Sequence, residues 1–478
     1  MISEVFKKLW DSPTFTSWGY KLAAISKALF LLPLVLIQFG DAELACWLML
    51  GTLSFFSAMI GTQTSATCSR MFSMAYGGAK DLKPTSSLGE NQTTSIPNWV
   101  LINDLYGAVK FINIRVAILG VPIVLSLGLF SFGQILPEHS SPNNIWASLL
   151  VFALGQFISQ LFRHYWVVLR GFNKVALSGR WAAFISITST CASSVGVILG
   201  GKILTLVIIQ QLFIFIEIIT YKVLIKKYLS CEFKSSSVSK INKEIFKWAW
   251  TPIWKGIVQS LANRGSLRVG ILVLASTLDA ASLASTLLAL RLLDIIEDFS
   301  SAPIYSHVPF FGKLFGGRNI EELNRALLSK FRLSVWIQSI GLIFVPTGAH
   351  LYLNFFQSPH RLPQLDTLIL IFVAYFILSQ IRLSLVIALI GNEVVAVRRF
   401  FVAFLLSSLS SWFIIPLYGI WGFVISVFLP SILIVNIAPL QIGCRIVGLS
   451  SLKFFRSVHF LPFLLLAVSL ILYILVSI

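Results

Sequence analysis

Charged side chains are scarce in this chain, and acidic ones are the scarcest. Of 478 residues, 12% are charged, with 19 acidic against 37 basic, while 56% are hydrophobic. A soluble domain of this length needs much more polar surface, so the composition excludes a soluble globular protein. The mean hydropathy of +0.85 instead places most of the chain in a lipid bilayer.

Several chemical signatures are also missing from the sequence. The five cysteines are scattered and none is paired at metal-ligand spacing, which predicts neither a disulfide framework nor a metal site. We find no GxxxxGK[ST] phosphate loop, no HExxH helix and no GxSxG elbow, so no ATP motor or hydrolase site is expected. The sequence therefore predicts a protein that is not an enzyme and that needs no cofactor.

Long apolar runs fill the remaining sequence. Hydropathy and length predict thirteen membrane spans. They lie near residues 17–39, 44–68, 111–134, 145–168, 176–200, 203–224, 250–276, 280–304, 333–355, 365–389, 400–418, 420–442 and 457–477. The first run is long and has no small-residue cleavage pattern, so we interpret it as a retained helix rather than a signal peptide.

Basic residues are distributed unevenly between the two sides of this topology. Alternating the connections assigns 28 of the 37 Lys and Arg residues to one side and only Lys202 and Arg361 to the other. The positive-inside rule then predicts a cytoplasmic N-terminus, cytoplasmic segments 77–105 and 225–246, and an outward C-terminus. The formal net charge of +18 is thus an orientation signal, and no nucleic-acid partner is expected.

The two halves of the chain resemble each other at consistent offsets. Glu4-Val5-Phe6-Lys7 corresponds to Glu244-Ile245-Phe246-Lys247, which is 240 residues further on. The Gly-Gly turns at 77–78 and 316–317 are 239 residues apart. Arg163, Asn173, Arg180 and Gly200 match Arg382, Asn392, Arg399 and Gly419 at an offset of 219. Because six spans is an even number, the series predicts two parallel six-helix repeats. We assign lobes 1–224 and 247–443, a cytoplasmic linker 225–246 and an extra transmembrane helix in 444–478.

The stretch Trp248–Phe311 concentrates charge inside two predicted spans. A charged residue facing lipid costs about 2.5–3.5 kcal/mol, so these side chains must face protein or water. The candidates for a cationic binding surface are Arg264, Arg268, Arg291, Lys255 and, in the first half, Arg115; the candidates for ion pairing or ion coupling are Asp294, Glu297 and Asp298. Two interpretations are open: the charges line a functional cavity, or they form a buried network that only orients two helices.

The elbow sequences, the six-plus-six repeat, the Gly-Gly turns and the segment 303–317 (PIYSHVPFFGKLFGG) are together typical of one family. The chain resembles the multidrug/oligosaccharidyl-lipid/polysaccharide (MOP) exporter superfamily, and within it the bacterial flippases for O-antigen or capsule units. The resemblance covers about residues 1–443, and the thirteenth span departs from it. It implies a V-shaped pair of lobes around a central cationic cavity that works by alternating access, often coupled to H⁺ or Na⁺.

The resemblance implies a specific function, with alternatives. The leading hypothesis is a flippase in the bacterial cytoplasmic membrane that moves undecaprenyl-pyrophosphate-linked oligosaccharides. Arg264, Arg268 and Arg291 would hold the pyrophosphate, supported by Lys255 and Arg115. A lipid II flippase and an ion-coupled multidrug exporter are alternatives, although surplus arginine suits an organic cation poorly. A membrane glycosyltransferase or polymerase is disfavoured because no large outer loop is predicted. Membrane lipid and polysaccharide assembly proteins are the other expected partners.

Overall fold

The computed structural model describes most of the chain. The described residues are 16, 19–20, 22–23, 26–76, 97–136, 143–172, 174–229, 244, 246, 250, 253–254, 257–258, 260–305, 307, 311, 314, 319–355, 361–390, 397–435 and 437–466. Within these ranges all regular secondary structure is helical.

The chain divides into two compact units, Met1–Ser260 and Leu261–Ile478. Each unit is built from helices that are neighbours in the sequence, which is typical of helical membrane proteins with short connections. The lobe boundaries predicted at residues 224 and 247 stay a prediction.

The first unit contains seven described α-helices. They are α1 (Leu32–Gln38), α2 (Asp41–Tyr76), α3 (Trp99–Ile135), α4 (Asn143–Phe162), α5 (His164–Gly171), α6 (Val175–Ile198) and α7 (Ile203–Tyr228), with a π-helical turn (Lys27–Leu31) before α1. Helix α2 packs on α3 and α5, α3 on α4, and α4 and α6 on α7. The fully buried Phe72, Ile102 and Val109 belong to the apolar core that joins α2 to α3.

The second unit contains seven α-helices with described bounds, and residues 460–466 are helical as well. They are α8 (Ser266–Leu274), α9 (Ala280–Tyr305), α10 (Ile320–Phe355), α11 (Leu365–Ile390), α12 (Val397–Pro430), α13 (Ala438–Ile446) and α14 (Ser451–Val458), with π-helical turns at Leu261–Gly265 and Ser431–Val435. Helix α8 packs on α12, α9 on α10 and α11, and α13 on α11. A cluster around Ile381, Leu385 and Phe400 forms part of the apolar core between α11 and α12.

The turn predicted near Asp279 joins α8 to α9. Asp279 Oδ2 accepts a hydrogen bond from the Ser282 backbone N–H at 3.0 Å, as an N-capping aspartate does. Hydrogen bonds from the Ser282 side chain and backbone hold the pKa of Asp279 below its usual range. The cap fixes where α9 begins and therefore the register of the charged residues along it.

The two units repeat features at the offsets found in the sequence. Helix α2 begins at Asp41 and α9 at Ala280, which are 239 residues apart. Gly200, between α6 and α7, has φ 84°, and its counterpart Gly419 has φ 55°. A positive φ costs glycine little because it lacks a Cβ, so the backbone requires glycine at both positions. The break in α12 at Gly419 falls between the predicted spans 400–418 and 420–442.

Seven helices in the described residues are long and apolar enough to span a membrane. They are Trp99–Ile135, Asn143–Gly171, Val175–Ile198, Ile203–Tyr228, Ile320–Asn354, Leu365–Ile387 and Val397–Ile446. Here Asn143–Gly171 combines α4 with α5, and Val397–Ile446 runs from α12 to α13. Helix α9 is not among them because four charged residues interrupt it. The protein is therefore a multi-pass membrane protein. The count of thirteen spans stays a prediction, and residues 467–477 of the last predicted span lie outside the described residues.

One assignment made for the topology is wrong. Arg382 is one of the 28 basic residues that the topology assigns to the cytoplasmic side. In the structure it lies inside α11, with only 5% of its surface exposed. A buried guanidinium needs partners inside the protein, and Arg382 has them in the cluster described below.

Candidate functional site

Two arginines near the start of the second unit contact carboxylates on α9. Arg264 is in the π-helical turn Leu261–Gly265, and Arg268 is on α8. Arg264 Nη2 donates to Glu297 Oε1 at 3.2 Å, and Arg268 Nη2 donates to Asp294 Oδ2 at 3.1 Å. The pairing follows from helix geometry, since Arg264 and Arg268 are four residues apart and Asp294 and Glu297 three apart, so each pair shares one helix face.

Tyr375 on α11 joins the two carboxylates. Its hydroxyl oxygen lies 2.9 Å from Asp294 Oδ1 and 2.5 Å from Glu297 Oε2. A tyrosine hydroxyl carries one hydrogen, so it can donate to only one of these oxygens at a time. The two carboxyl groups therefore compete for one donor, and Tyr375 holds Asp294 and Glu297 close to each other.

Arg382, also on α11, binds the same buried carboxylate. Its Nη1 donates to Glu297 Oε2 at 3.3 Å, and its guanidinium lies over the Tyr375 ring with 5.7 Å between Cζ and the ring centroid. Both side chains of this pair are buried, at 5% and 7% exposure. Three donors, from Arg264, Tyr375 and Arg382, therefore converge on Glu297.

The charges of this cluster do not cancel. We call Arg264, Arg268, Arg382, Asp294, Glu297 and Tyr375 the ion-pair cluster; it holds three guanidinium groups and two carboxyl groups. Arg382 alone balances the charge of Glu297, and Arg268 alone balances the charge of Asp294. The side chain of Arg264 is 47% exposed, so the surplus positive charge is also the most accessible one.

Two further candidates on α9 lie at the edge of the cluster. Arg291 is exposed and interacts electrostatically with Asp294, which lies three residues further along the helix. Asp298 is exposed, whereas its neighbour Glu297 is buried. Of the three acidic candidates, Asp294 and Glu297 contact arginines in the ion-pair cluster, and the role predicted for Asp298 stays a prediction.

The remaining candidates belong to the first unit. Arg115 is exposed on α3, and its guanidinium lies over the Phe111 ring with 4.7 Å between Cζ and the centroid. Lys255 lies outside the described residues. Their predicted supporting roles stay a prediction.

Sequence reasoning missed Tyr375 and Arg382. Both lie within the predicted span 365–389. A charged residue inside a membrane span indicates a functional site, and this rule applies to Arg382 as it does to Arg264. The match between Arg382 and Arg163 in the repeat was a second signal. Tyr375 left no such signal because tyrosine is common in membrane helices.

Comparison with solved structures identifies the fold. The lipid II flippase MurJ, in an inward closed conformation, matches with a TM-score of 0.60 and 14% identity over 97% of this chain and 92% of that one. A MOP superfamily transporter from Pyrococcus furiosus matches with a TM-score of 0.58 and 12% identity over 92% and 97%. The Vibrio cholerae MATE transporter VcmN, in its bent form, matches with a TM-score of 0.55 and 15% identity over 94% and 99%. No protein-family model and no curated protein sequence matches the chain.

The chain therefore has the fold of the MOP superfamily transporters. This confirms the fold class predicted from the sequence, an all-α polytopic membrane protein with two repeats. The solved structures compared here are transporters and flippases. At these identities the likeness shows the fold, so the substrate must be argued from this chain's own residues.

Proposed function

We propose that the protein is a flippase that moves undecaprenyl-pyrophosphate-linked oligosaccharides of the O-antigen or capsule type across the bacterial cytoplasmic membrane by alternating access. In this proposal the arginine-rich cluster of the second unit binds the pyrophosphate group. The N-terminus is cytoplasmic, and polysaccharide assembly proteins are partners.

The observation that carries the proposal is the accessible, surplus guanidinium of Arg264. Its partner Glu297 is shared with the buried Arg382, so Arg264 can exchange Glu297 for a phosphate oxygen without leaving Glu297 unpaired. A guanidinium pairs two phosphate oxygens at once, and it does so more strongly away from bulk water. Arg291, exposed and three residues before Asp294 on α9, adds a second positive charge for the second phosphate.

The two carboxyl groups that share the Tyr375 hydroxyl support coupling of transport to protons. When a phosphate binds Arg264, Glu297 loses one of its three donors. A proton taken up between Asp294 and Glu297 would then accompany substrate binding. Sodium coupling is the alternative, and replacing the sodium gradient with a proton gradient in vesicles distinguishes the two.

Complementation tests the proposal. The gene is expressed in a bacterial strain that lacks its own O-antigen flippase, and surface polysaccharide is measured together with the amount of protein in the membrane. We expect the wild type to restore surface polysaccharide, Arg264→Ala to lose most of that activity, and Arg264→Lys to recover part of it, because lysine keeps the charge but not the bidentate geometry.

A matched control is available on α10. Arg325 is 78% exposed and pairs along its own helix with Glu321 at 2.7 Å, so Arg325→Ala removes the same charge away from the cluster. It should restore surface polysaccharide as the wild type does. Full activity of a well-expressed Arg264→Ala protein would refute the pyrophosphate role of this residue.

A lipid II flippase is the second candidate, and the likeness to MurJ favours it. Both substrates present a pyrophosphate, so the ion-pair cluster suits either. Rescue of growth after MurJ depletion, without restoration of O-antigen, would select this candidate. A multidrug exporter is disfavoured because the cluster carries surplus positive charge, which repels organic cations.

A further inference from the structure

We propose that a cluster of four basic residues around α14 is a binding site for the headgroups of anionic phospholipids. We call Arg332, Arg445, Lys453 and Arg456 the basic corner. This inference does not depend on the flippase proposal, because it concerns how the end of the second unit meets the membrane surface.

The first observation is an imbalance of charge. From Val394 to Ile478 the chain has five basic residues and no Asp or Glu, so this part of the sequence cannot neutralise its own charge. Acidic residues are present at the start of α10, but they have local partners: Glu321 pairs with Arg325, and Glu322 accepts from Asn319 Nδ2 at 2.6 Å. These acids are about three helical turns before Arg332.

The second observation is the division of α14 into two faces. Phe454 and Val458 are fully buried, and the Phe454 ring packs edge-on against Phe331 with 5.3 Å between centroids. The other face exposes Leu452 (78%) and Phe455 (44%), together with Lys453 and Arg456. Large apolar side chains beside basic ones are typical of a helix that lies in the membrane interface, where the apolar groups enter the acyl region and the basic groups meet headgroups.

The third observation is that other elements bring more positive charge to this helix. Arg332 of α10 is exposed, and its Nε donates to the Ser457 backbone carbonyl at 3.0 Å, one residue after Arg456. Arg445 lies in the last turn of α13, and the chain then reverses at Gly448, whose N–H donates to the Arg445 carbonyl at 3.2 Å. Both α10 and α13 pack on α14, so their basic residues add to the positive charge around this helix.

The occupant that fits these observations is an anionic phospholipid of the leaflet that the corner faces. Its phosphate provides the missing negative charge, and its acyl chains accommodate Leu452 and Phe455. The positive-inside rule assigns this part of the chain to the cytoplasmic side, where anionic lipids attract basic segments. A zwitterionic lipid offers the same acyl chains without the net charge.

The test compares lipid binding by the purified full-length protein and its variants in detergent. Phosphatidylglycerol or phosphatidylcholine is titrated, and bound lipid is counted by native mass spectrometry. We expect wild type to bind phosphatidylglycerol preferentially, and Arg445→Gln/Lys453→Gln/Arg456→Gln to bind it about tenfold more weakly or worse, since each basic residue near an anionic surface contributes to affinity. Arg332 is left unchanged because it holds the Ser457 carbonyl.

The matched control removes three exposed basic residues at the end of α7, Lys222→Gln/Lys226→Gln/Lys227→Gln. It should keep the wild-type affinity. An equal loss of phosphatidylglycerol affinity in both triple variants would overturn the proposal, because binding would then depend only on overall charge. Unchanged affinity in the first triple variant would overturn it as well, because the basic corner would then not bind the lipid. If the first triple variant unfolds, the single variant Arg456→Gln and a sodium chloride titration of the wild type replace it: unchanged binding in both experiments contradicts the site.

Discussion

At the scale of single residues, Glu297 is the group that holds the cluster together. It accepts from Arg264 in the π-helical turn Leu261–Gly265 and from Tyr375 and Arg382 on α11. Because Glu297 is buried, its charge is tolerable only while these donors are present. The three donors differ in exposure, so they are expected to differ in what their loss does.

We predict that Arg382→Ala destabilises the protein much more than Arg264→Ala. Removing one partner of a buried ion pair costs about 3–5 kcal/mol, whereas Arg264 is half exposed and its guanidinium is partly solvated. The midpoint of thermal unfolding in detergent measures both variants. Equal midpoints for the two variants would show that Arg382 has no special structural role.

Arg291 gives a second residue-scale prediction. Asp294 is held by Arg268 and Tyr375, and Arg291, a candidate of the cationic binding surface, is exposed. Arg291→Ala should therefore express and unfold like the wild type, lose transport, and regain part of it as Arg291→Lys. If the double variant Arg291→Ala/Asp294→Ala is well expressed and still restores surface polysaccharide, Arg291 does not bind substrate.

At the scale of elements, α11 connects the cluster to the end of the chain. Tyr375 and Arg382 face the carboxylates of α9, while Ser379 accepts from Gln338 Nε2 at 2.5 Å and Gln380 donates to Gln338 Oε1 at 2.5 Å. His459 Nε2 lies 3.2 Å from Gln380 Oε1. Buried polar side chains need such partners, and this network fixes the rotation of α11 against α10 and against the turn at His459, directly after α14.

The break at Gly419 gives an element-scale prediction. Alanine there must adopt φ 55°, which is strained for any residue with a Cβ, so Gly419→Ala should cost about 1–2 kcal/mol. Gly120→Ala is the control, because Gly120 is inside α3 and a Cβ there meets no atom within 4 Å; alanine should be neutral or stabilising. The two unfolding midpoints measure the difference, and a midpoint for Gly419→Ala at or above that of the control would contradict the strain argument.

At the scale of the whole molecule, orientation in the membrane is the property open to a direct test. Removing the buried Arg382 from the count leaves 27 basic residues on one side against two on the other, so the predicted orientation does not change. We predict that a single cysteine at Ser236 is not labelled by an impermeant reagent from outside intact cells. The five native cysteines must first be replaced, including the exposed Cys191. Labelling at Ser236 from outside would overturn the topology.

The sequence by itself determined the class of the protein and its repeat. Hydrophobic composition requires a bilayer, and a bilayer requires helices whose backbone groups are satisfied internally, so an all-helical fold followed from composition. The repeat offsets located Gly200 and Gly419, where the structure has its paired positive φ angles. Spacing along one helix also grouped Arg264 with Arg268, since neighbours at three and four residues share a face whatever the tertiary structure.

Only the tertiary structure decided which groups meet between helices. Glu297 is 78 residues from Tyr375 and 85 from Arg382, and no periodicity relates positions on different helices. Their contact depends on how α11 is rotated and how deep it packs against α9, which is set by the close packing of the whole unit. The same packing buries Glu297 and leaves Asp298 exposed, although both residues are carboxylates on one helix.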